Sequence, residues 1–513
     1  MLVKAFGSAV EGIHATIITV EVHVARGKFG YNMVGLPDKA VSEGRQRIYT
    51  AFHHNGLEFP RSEVTINMAP ADIQKAGSAY DLTLAMGILA AAGDISPDKL
   101  ADYLIMGELS LDGELRPIKG ALPIAIEARK RGFKGMLLPK VNAAEAAIVT
   151  NLDVIPIAHL REAVEYLDGR REIEPLVRDT RELFFEAQRD FAFDFSDVKG
   201  QENVKRAMEI AAAGGHNAIL IGPPGAGKTM LARRMPSVLP PMTLHEALET
   251  TKIHSVVGVL PEDAALVAQR PFRSPHHTTS DVALVGGGSN AQPGEISLAH
   301  NGILFLDELP EFKRTVLEVL RQPLEERRVT VSRAKLTVEY PANFMLIASM
   351  NPCPCGFHNH PEKDCVCAPQ QVQRYLSRIS GPLMDRIDLH IEVTPVAFEE
   401  LTSIQPGERS DDIRQRVILA RHIQLERYKE LKGVYSNAMM PPQMVRQFCK
   451  IDKGSEMLLK IAMKKLDLSA RAFDRILKVS RTIADLSGEA SILPEHVAEA
   501  IQYRSLDRES WAG

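Results

Sequence analysis

One eight-residue segment, Gly222-Pro-Pro-Gly-Ala-Gly-Lys-Thr229, restricts the fold of this chain more than any other feature. It matches the pattern G-x-x-x-x-G-K-[ST] and directly follows a short apolar run, Ala218-Ile-Leu-Ile221, which predicts a buried strand. The glycines let backbone N–H groups turn towards phosphates, Lys228 reaches the outer phosphates, and the Thr229 hydroxyl ligates Mg²⁺. The sequence therefore predicts a strand, a loop and a helix that together bind a nucleoside triphosphate. The residues expected to contact it are Gly222, Pro223, Pro224, Gly225, Ala226, Gly227, Lys228 and Thr229.

Two further apolar runs are followed by polar side chains. The run Ile303-Leu-Phe-Leu306 ends in Asp307 and Glu308, and Asn351 follows the run Phe344-Met-Leu-Ile-Ala348. Asp307 can hold Mg²⁺, and Glu308 can polarise a water for attack on the γ-phosphate. Because Glu308 contributes little to binding, the pair predicts hydrolysis of ATP. Asn351 would lie between the carboxylates and the γ-phosphate, a role compatible with a turn-forming Asn before proline.

The runs before these polar groups are short, unbroken and bounded by turn residues. This pattern is typical of strands buried on both faces of a parallel sheet, so an α/β fold is predicted. We place the ATPase core at residues 191–405. A mixed α/β domain is predicted for residues 1–167, a charged connector for 168–190, and a helical lid domain for 406–513.

Composition excludes several classes of protein. The chain has 513 residues, 45% of them hydrophobic, which excludes disorder as the dominant state. A formal net charge of −4 excludes a globally basic coat for nucleic acid, although a local basic channel stays possible. No stretch approaches the roughly 18 uninterrupted apolar residues that a membrane span needs. Glu11 interrupts the first apolar residues before a signal peptide could form. We therefore expect a cytoplasmic protein without membrane contacts.

Four of the five cysteines lie within fifteen residues, as C-x-C, nine residues and C-x-C: Cys353, Cys355, Cys365 and Cys367. A disulfide framework would distribute cysteines along a short secreted chain, whereas four thiolates suit a tetrahedral Zn²⁺ ion. C-x₂-C is the commoner spacing, so a loop of reduced, metal-free cysteines remains an alternative. His358 or His360 could also replace one thiolate. Nothing beside the cluster suggests an open coordination position, so the zinc site is expected to be structural.

Other segments extend the pattern: Phe272-Arg-Ser-Pro-His-His-Thr278, Pro293-Gly-Glu-Ile-Ser-Leu-Ala-His-Asn-Gly302, Asn351-Pro-Cys-Pro-Cys-Gly356 and Ser380-Gly-Pro-Leu-Met-Asp-Arg-Ile-Asp388. In this order the motifs resemble those of AAA+ ATPases, and more narrowly the YifB/ComM family in the magnesium-chelatase-like branch. The resemblance covers essentially the whole chain. It implies an N-terminal Lon-protease-like (ribosomal-S5-domain-2-like) α/β domain, an AAA+ P-loop core with a parallel sheet, and a C-terminal helical lid. Family members are bacterial proteins linked to natural competence, and one acts as a hexameric DNA branch-migration helicase.

The resemblance assigns roles to individual residues. Asp307 and Glu308 match the Walker B pair, and Asn351 matches sensor 1. Arg386 matches the arginine finger that completes a neighbouring subunit's site, and Arg471 matches sensor 2. A fixed guanidinium can stabilise transition-state charge by orders of magnitude in rate. For each arginine alone a surface salt bridge would be the simpler interpretation, and Arg475, one turn along the same helix, is an alternative to Arg471.

The DNA contacts are predicted on a hairpin within Arg327–Val338, where β-branched residues flank a polar centre. Arg333 and Lys335 lie near its tip. The segment resembles the presensor-1 hairpin of DNA-translocating relatives, so six tips in a ring would form a basic collar that grips phosphates. A solvated hairpin turn is the alternative. The segment from Val285 to Pro293 resembles the helix-2 insert loop.

The N-terminal domain carries a weaker motif. Lys75-Ala-Gly-Ser-Ala79 lies roughly where Lon carries its nucleophile, and Arg116-Pro-Ile-Lys-Gly120 where the segment leading to its lysine lies. Counting places Leu122, and not a lysine, at the partner position, with Lys119 offset by three. We therefore expect a non-proteolytic domain that faces DNA or stabilises a ring.

Three functions share this AAA+ core. The expected one is an ATP-dependent hexameric DNA translocase or helicase that promotes branch migration on single-stranded and branched DNA during natural transformation. A magnesium-chelatase-like motor acting on a protein partner is the alternative. An ATP-dependent protease is disfavoured because the lysine partner is missing.

Overall fold

The computed structural model divides the chain into two compact units. The first contains Met1–Ala187 and Leu244–Ala268, and the second contains Gln188–Thr243 and Gln269–Gly513. The structure describes every residue except 26, 28, 179–183, 186, 189–190, 262–264, 289–290, 334–335, 359, 361, 397–406, 432, 467 and 505–513. None of the described helices is long and apolar enough to cross a membrane.

A seven-stranded mixed sheet forms the centre of the first unit. Its strands are β1 (Leu2–Glu11), β2 (His14–Ala25), β3 (Gly30–Val34), β4 (Glu63–Ala69), β5 (Tyr103–Ile105), β8 (Gly135–Pro139) and β9 (Asp153–Ile157), with β6 (Glu108–Leu109) and β7 (Leu115–Arg116) pairing separately. The order is β3-β4-β2-β1-β5-β8-β9. Val20 and Val22 on β2 are fully buried, and so are Val64 and Ile66 on β4, because alternate residues of each strand face the core.

The structure describes five helices before residue 179: α1 (Lys39–His54), α2 (Asp81–Ala92), α3 (Ala121–Lys130), α4 (Lys140–Ala146) and α5 (Leu160–Leu167). The sequence suggests Asp81 as the N-cap of α2, but the cap is Tyr80 and Asp81 is the first helical residue. The Asp81 carboxylate instead accepts two hydrogen bonds from Arg47, Nε at 2.6 Å and Nη2 at 2.9 Å. Its side chain therefore serves a buried ion pair.

The second unit is built on a five-stranded parallel sheet, as predicted. Its strands are β10 (Ala218–Ile221), β11 (Phe272–Arg273), β14 (Ile303–Leu306), β17 (Met345–Met350) and β18 (Leu389–Glu392), in the order β11-β14-β17-β10-β18. Two small antiparallel pairs are separate: β12 (Gly286–Gly287) with β13 (Gln292–Pro293), and β15 (Arg328–Arg333) with β16 (Leu336–Pro341). Because the five strands run in one direction, their carboxyl ends bring residues distant in sequence to one edge.

The helices after residue 200 belong to the second unit and its lid, except for α8, which lies in the first unit. In chain order they are α6 (Glu202–Gly214), α7 (Lys228–Val238), α8 (Leu244–Val257), α9 (Asp281–Val285), α10 (Glu295–Leu298), α11 (Arg314–Glu318), α12 (Arg321–Glu326), α13 (Pro369–Leu376), α14 (Gly381–Met384), α15 (Ser410–Tyr428), α16 (Pro442–Phe448), α17 (Lys453–Lys465), α18 (Ala470–Leu486) and α19 (Pro494–Gln502). The described residues after 406 contain helices without strands, which agrees with a helical lid. The predicted boundary at 405 to 406 lies outside the described residues.

One segment departs from the sequence-based division. Residues 244–268, which that division assigns to the ATPase core, pack in the first unit. The Gly120 N–H, just before α3, donates to the Ser255 carbonyl at 3.0 Å, and Ala265 is buried in the apolar core around the mixed sheet. Part of the predicted connector also packs there, since the Leu176 N–H donates to the Val154 carbonyl at 2.8 Å. Local patterning does not reveal such packing, because it depends on a partner surface distant in the chain.

Candidate nucleotide-hydrolysis site

The predicted phosphate loop forms the connection between β10 and α7. Gly225 and Gly227 have φ angles of +81° and +88°, a left-handed conformation that glycine adopts without steric cost. A Cβ at Gly222 would lie 2.2 Å from the Val393 carbonyl oxygen, so this position also excludes a side chain. Helix α7 begins at Lys228, and its cap Gly227 has no side chain to occupy the first N–H groups. These donors are therefore available to phosphate oxygens.

Lys228 makes hydrogen bonds both to the phosphate loop and to Asn351, the predicted sensor 1 residue. Its ammonium donates to the carbonyls of Gly222 and Pro223 at 2.7 and 2.9 Å, and to Asn351 Oδ1 at 3.1 Å. Burial lowers the pKa of Lys228, while the charges of Asp307 and Glu308 oppose that shift. Asn351 follows β17, the strand between β10 and β14, so the strand order places this amide beside the loop.

Asp307 lies at the carboxyl end of β14 and accepts hydrogen bonds from two hydroxyl groups. Thr229 donates to Oδ2 at 2.7 Å, and Ser349 donates to Oδ1. A hydroxyl and a carboxylate in contact are hard oxygen ligands of the kind that Mg²⁺ prefers, so Thr229 and Asp307 fit the predicted metal role. Ser349 is fully buried on β17 and orients the carboxylate from behind.

Glu308 extends beyond the strand into open space. Its φ is +53°, and its side chain is 59% exposed. The carboxylate Oε2 lies 3.6 Å from His277 Nδ1, and the His277 ring lies beside the tilted ring of His276 with centroids 4.1 Å apart. A carboxylate in this position can accept a proton from a water molecule aligned with a bound γ-phosphate.

A cavity of about 530 Å³ opens in front of Glu308 and Asn351. Its remaining lining residues are Glu311, Pro354, Gln371, Arg374, Tyr375 and Arg378. Arg378 pairs with Glu311 at 3.0 Å, whereas the exposed Arg374 lies on α13 at the rim. The cavity lining therefore contains two carboxylates, Glu308 and Glu311, and two guanidinium groups, Arg374 and Arg378.

The predicted finger, Arg386, lies apart from this cavity. Its guanidinium pairs with Glu325, and the residue is only 5% exposed. Burial lowers the pKa of Arg386, against the opposing charge of Glu325. It lines a second cavity of about 520 Å³, whose lining includes none of Lys228, Asp307 and Asn351. Within its own chain, Arg386 does not contact the residues that form the phosphate site.

The two candidate sensor arginines on α18 have different surroundings. Arg471 is 63% exposed and lies 3.6 Å from Asp385. Arg475 pairs with the buried Asp388, which also contacts His216 Nδ1 at 3.1 Å. Although burial raises the pKa of Asp388, the charge of Arg475 and the contacts with His216 hold it far below the ordinary value. Arg475 thus belongs to a structural pair, and Arg471 is the more accessible of the two.

Family models match three successive parts of the chain. The model "Subunit ChlI of Mg-chelatase" matches residues 20–142, "Magnesium chelatase, subunit ChlI" matches 194–401, and "Magnesium chelatase, subunit ChlI C-terminal" matches 407–504. The central match contains the phosphate loop, both carboxylates, Asn351 and Arg386.

Relatives aligned over the full length narrow this assignment. A protein named YifB from Escherichia coli is 44% identical over 502 residues, which cover 97% of this chain and 96% of that protein. Competence protein ComM from Haemophilus influenzae is 42% identical over 508 residues, which cover 99% of this chain and 98% of that protein. The chain belongs to the YifB/ComM family of magnesium-chelatase-like AAA+ proteins. By contrast, the magnesium-chelatase 38 kDa subunit of Rhodobacter capsulatus is 27% identical over 179 residues, which cover 31% of this chain and 50% of that subunit.

In this YifB/ComM-type protein the four clustered cysteines converge. Their sulfur atoms all lie within 4.8 Å of one another, and Cys353 is fully buried. The Sγ atoms of Cys353, Cys355 and Cys365 are separated by 3.3, 3.7 and 3.6 Å. A tetrahedral site with Zn–S bonds of about 2.3 Å has sulfurs about 3.8 Å apart, so the donor set fits zinc. No histidine is needed as a ligand, because the four sulfurs already fill a tetrahedral site. His360 Nδ1 accepts the N–H groups of Glu362 and Lys363.

The predicted hairpin is present as β15 and β16. The last residue pair of this hairpin is Arg333 with Leu336. Lys335 lies outside the described residues. The Tyr340 hydroxyl donates to the Ala291 carbonyl at 2.8 Å, so Ala291, just before β13, lies against this hairpin. Within the segment that resembles a helix-2 insert, β12 pairs antiparallel with β13.

In the first unit, Ser78 has a carboxylate as its partner. Its hydroxyl donates to Glu108 Oε2, and Glu108 Oε1 lies 3.5 Å from Arg116 Nη1. The nearby Lys75 is fully buried and donates to the Pro70 carbonyl, and burial lowers its pKa. Leu122 is buried in the apolar core. Among the described residues, Ser78 therefore has no lysine partner.

Sequence reasoning missed several residues of the site. Ser349 could have been found as the polar residue within an otherwise apolar strand. The motif around His277 is readable in the sequence, but its contact with Glu308 depends on β11 lying next to β14. Arg374 and Arg378 carry no local signal, because only the fold brings α13 and the residues just after it beside Glu308.

Proposed function

We propose that this YifB/ComM-type protein is an ATP-driven DNA translocase, a hexameric helicase that promotes branch migration when incoming DNA recombines during natural transformation. One observation carries the proposal: a core that brings Lys228 to Asn351 and Thr229 to Asp307 also carries a hairpin whose strands pair as far as Arg333. Its likeness over the full length to a protein named for competence supports the same function. Such a motor would act in the cytoplasm.

In this proposal the protein hydrolyses ATP, with Mg²⁺ as the cofactor. Lys228 and the N–H groups of the loop hold the phosphates, and Thr229 and Asp307 hold the Mg²⁺ ion that neutralises developing charge. Glu308 accepts the proton of the attacking water. Asn351, hydrogen-bonded to Lys228 at 3.1 Å, keeps the lysine directed at the γ-phosphate.

The hairpin supplies the DNA contacts. Val329 and Val331 are buried, so β15 is anchored in the core along the part that precedes Arg333. Arg333 and Lys335 would contact phosphates of single-stranded and branched DNA, and six tips would surround the strand.

Arg386 acts on the neighbouring subunit in this proposal. Its position away from the phosphate residues of its own chain supports a role in trans, for which a ring supplies the partner site. Arg386→Ala should bind ATP but lose hydrolysis by about 10³-fold or more. Mixing it with Lys228→Ala subunits should restore part of the activity, because some interfaces then combine an intact finger with an intact loop. Mixtures that exchange subunits and stay inactive would refute the role in trans.

Arg471 is the proposed sensor 2, since Arg475 is committed to Asp388. The four cysteines are proposed to hold one structural Zn²⁺ ion. Their number, convergence and sulfur separations support this role.

The test compares ATP hydrolysis and DNA movement in the parent and in Arg333→Ala/Lys335→Ala. The double variant should keep basal hydrolysis, because no phosphate-binding group of the ATP site changes. It should lose DNA stimulation and branch migration on four-way junctions, and its remaining DNA binding should depend less steeply on salt. Arg328→Ala is the matched control, since Arg328 lies at the hairpin base and pairs with Glu339 at 3.3 Å.

Two results would overturn the proposal. A double variant that migrates junctions like the parent would remove the hairpin from the mechanism. A parent ATPase that no DNA substrate stimulates would instead favour the alternative, a magnesium-chelatase-like motor that acts on a protein partner.

A further inference from the structure

The cysteine cluster lies next to the nucleotide site in both sequence and space. Asn351, whose amide oxygen accepts from Lys228, stands two residues before Cys353. Pro352 between them is buried, and Cys353 is fully buried. The first C-x-C pair is therefore joined to the predicted sensor by a short, packed segment.

The loop between the two cysteine pairs also contacts the phosphate loop. Gly356 has φ of +85°, and its N–H donates to the Cys353 carbonyl at 3.0 Å. A Cβ added to Gly356 would lie 2.5 Å from Pro224 Cδ. Pro224 belongs to the segment that wraps the phosphates. Because Gly356 has no side chain, its backbone packs directly against Pro224. A displacement of one loop therefore changes the packing of the other.

The second C-x-C pair leads into α13. A single residue, Ala368, separates Cys367 from the first residue of this helix. Gln371, Arg374 and Tyr375 on α13 line the cavity in front of Glu308. The four sulfurs thus connect two chain segments that border the same site, one beside Asn351 and one along the cavity wall.

We propose that a metal ion bound by the four cysteines holds Pro224, Asn351 and α13 in the arrangement that binds nucleotide, so that metal occupancy sets the affinity for ATP. The inference rests on the proposed zinc site and is independent of the DNA activity. A metal ion bound to all four thiolates links residues 353–355 to 365–367 through bonds of about 2.3 Å. Without it, the loop that packs on Pro224 loses this constraint, and fewer molecules are competent to bind.

The first experiment uses the full-length protein, with and without zinc. Metal content is measured by mass spectrometry, and affinity is measured with a fluorescent ATP analogue in Mg²⁺. We expect about one zinc per chain, nucleotide affinity lower by about tenfold after chelation, and recovery on adding zinc alone. Circular dichroism and thermal unfolding are recorded on the same samples. Cys365→Ser/Cys367→Ser should behave like the chelated protein. Cys449→Ser, a buried cysteine outside the cluster, should behave like the parent.

A second variant separates the metal from its effect on the loop. Gly356→Ala keeps all four cysteines but forces a Cβ against Pro224, so zinc content should stay near one while nucleotide affinity falls. Gly488→Ala is the matched control, because Gly488 also has a positive φ, +73°, but a Cβ there meets nothing within 4 Å. Its strain is similar, and its nucleotide affinity should be unchanged.

The outcomes are distinguishable. Protein that contains zinc but binds nucleotide equally well with and without it would overturn the coupling and leave the zinc site standing. Protein that never binds zinc would overturn both. Chelated protein that is globally unfolded by circular dichroism would make the metal a requirement of the fold, and Gly356→Ala then decides whether the loops are coupled. None of these results depends on DNA.

Discussion

Two regions of this protein carry a hydroxyl group, a lysine and a carboxylate, yet only one of them assembles a site. In the second unit Thr229, Lys228 and Asp307 meet Asn351 at the carboxyl ends of parallel strands. In the first unit Ser78 donates to Glu108, while Lys75 turns away to a backbone carbonyl.

The difference follows from how each region satisfies its polar groups. Around Ser78 the charged side chains pair with one another: Arg116 lies beside Glu108, and Arg47 binds the buried Asp81. At the phosphate loop the glycines leave backbone donors for a ligand, and Glu308 is 59% exposed to an open cavity. A motif becomes a site when its polar groups stay available, and each prediction below tests that contrast.

The largest effect is expected for Lys228→Ala. Loss of two or more charge-assisted hydrogen bonds to phosphate should weaken ATP binding by about 10³-fold and abolish hydrolysis at ordinary concentrations. Titration with a fluorescent ATP analogue measures the loss. Ser78→Ala is the counterpart and should leave both quantities unchanged. A Ser78→Ala protein without ATPase activity would break the contrast between the regions.

Glu308→Gln should trap ATP. Removal of the proton acceptor is expected to lower kcat by about 10²–10⁴-fold with little change in nucleotide affinity. Single-turnover hydrolysis of bound ATP gives the rate. Glu108→Gln changes a carboxylate of the same size in the Ser78 region and should keep normal kcat. Normal turnover in Glu308→Gln would remove that carboxylate from the mechanism.

Arg47→Ala should damage structure and spare catalysis. It leaves the carboxylate of Asp81, 1% exposed, without its ion-pair partner, at a cost of roughly 3 kcal/mol. Hydrogen exchange of peptides from α1 and α2 reports this loss, whereas kcat and KM for ATP should not change. Burial already raises the pKa of Asp81, so the defect should shrink as falling pH protonates the carboxylate.

Lys39→Ala is the control for this variant. Lys39 lies on the same helix α1 in an exposed pair with Glu43 at 3.5 Å, so its loss should change stability by less than about 0.5 kcal/mol. Equal losses of stability in Arg47→Ala and Lys39→Ala would show that the buried Arg47–Asp81 pair stabilises the protein no more than an exposed pair does.

The smallest effect is expected for Ser349→Ala. This hydroxyl orients Asp307 from behind, and loss of such a contact should raise the Mg²⁺ concentration for half-maximal hydrolysis by about tenfold. Titration of ATPase activity with Mg²⁺ measures it. Ser8→Ala removes a buried strand hydroxyl of the first unit and should leave the Mg²⁺ dependence unaltered. Parent-like Mg²⁺ dependence in Ser349→Ala would remove Ser349 from the metal site.

The sequence by itself determined the parallel ATPase sheet, the phosphate loop, the family and a helical C-terminal region. These features are readable because each depends on local order: an apolar run predicts its strand, and glycine spacing predicts the loop. The cysteine cluster was readable for the same reason, since its members lie within fifteen residues.

Only the tertiary structure decided which groups meet. Strand order brought Asn351 to Lys228 and His277 to Glu308, and packing of α18 committed Arg475 to Asp388 while Arg471 stayed exposed. It also assigned residues 244–268 to the first unit and brought Gly356 against Pro224. These contacts join residues far apart in the chain. The sequence pattern around each one is compatible with several partners, and the packed core selects one.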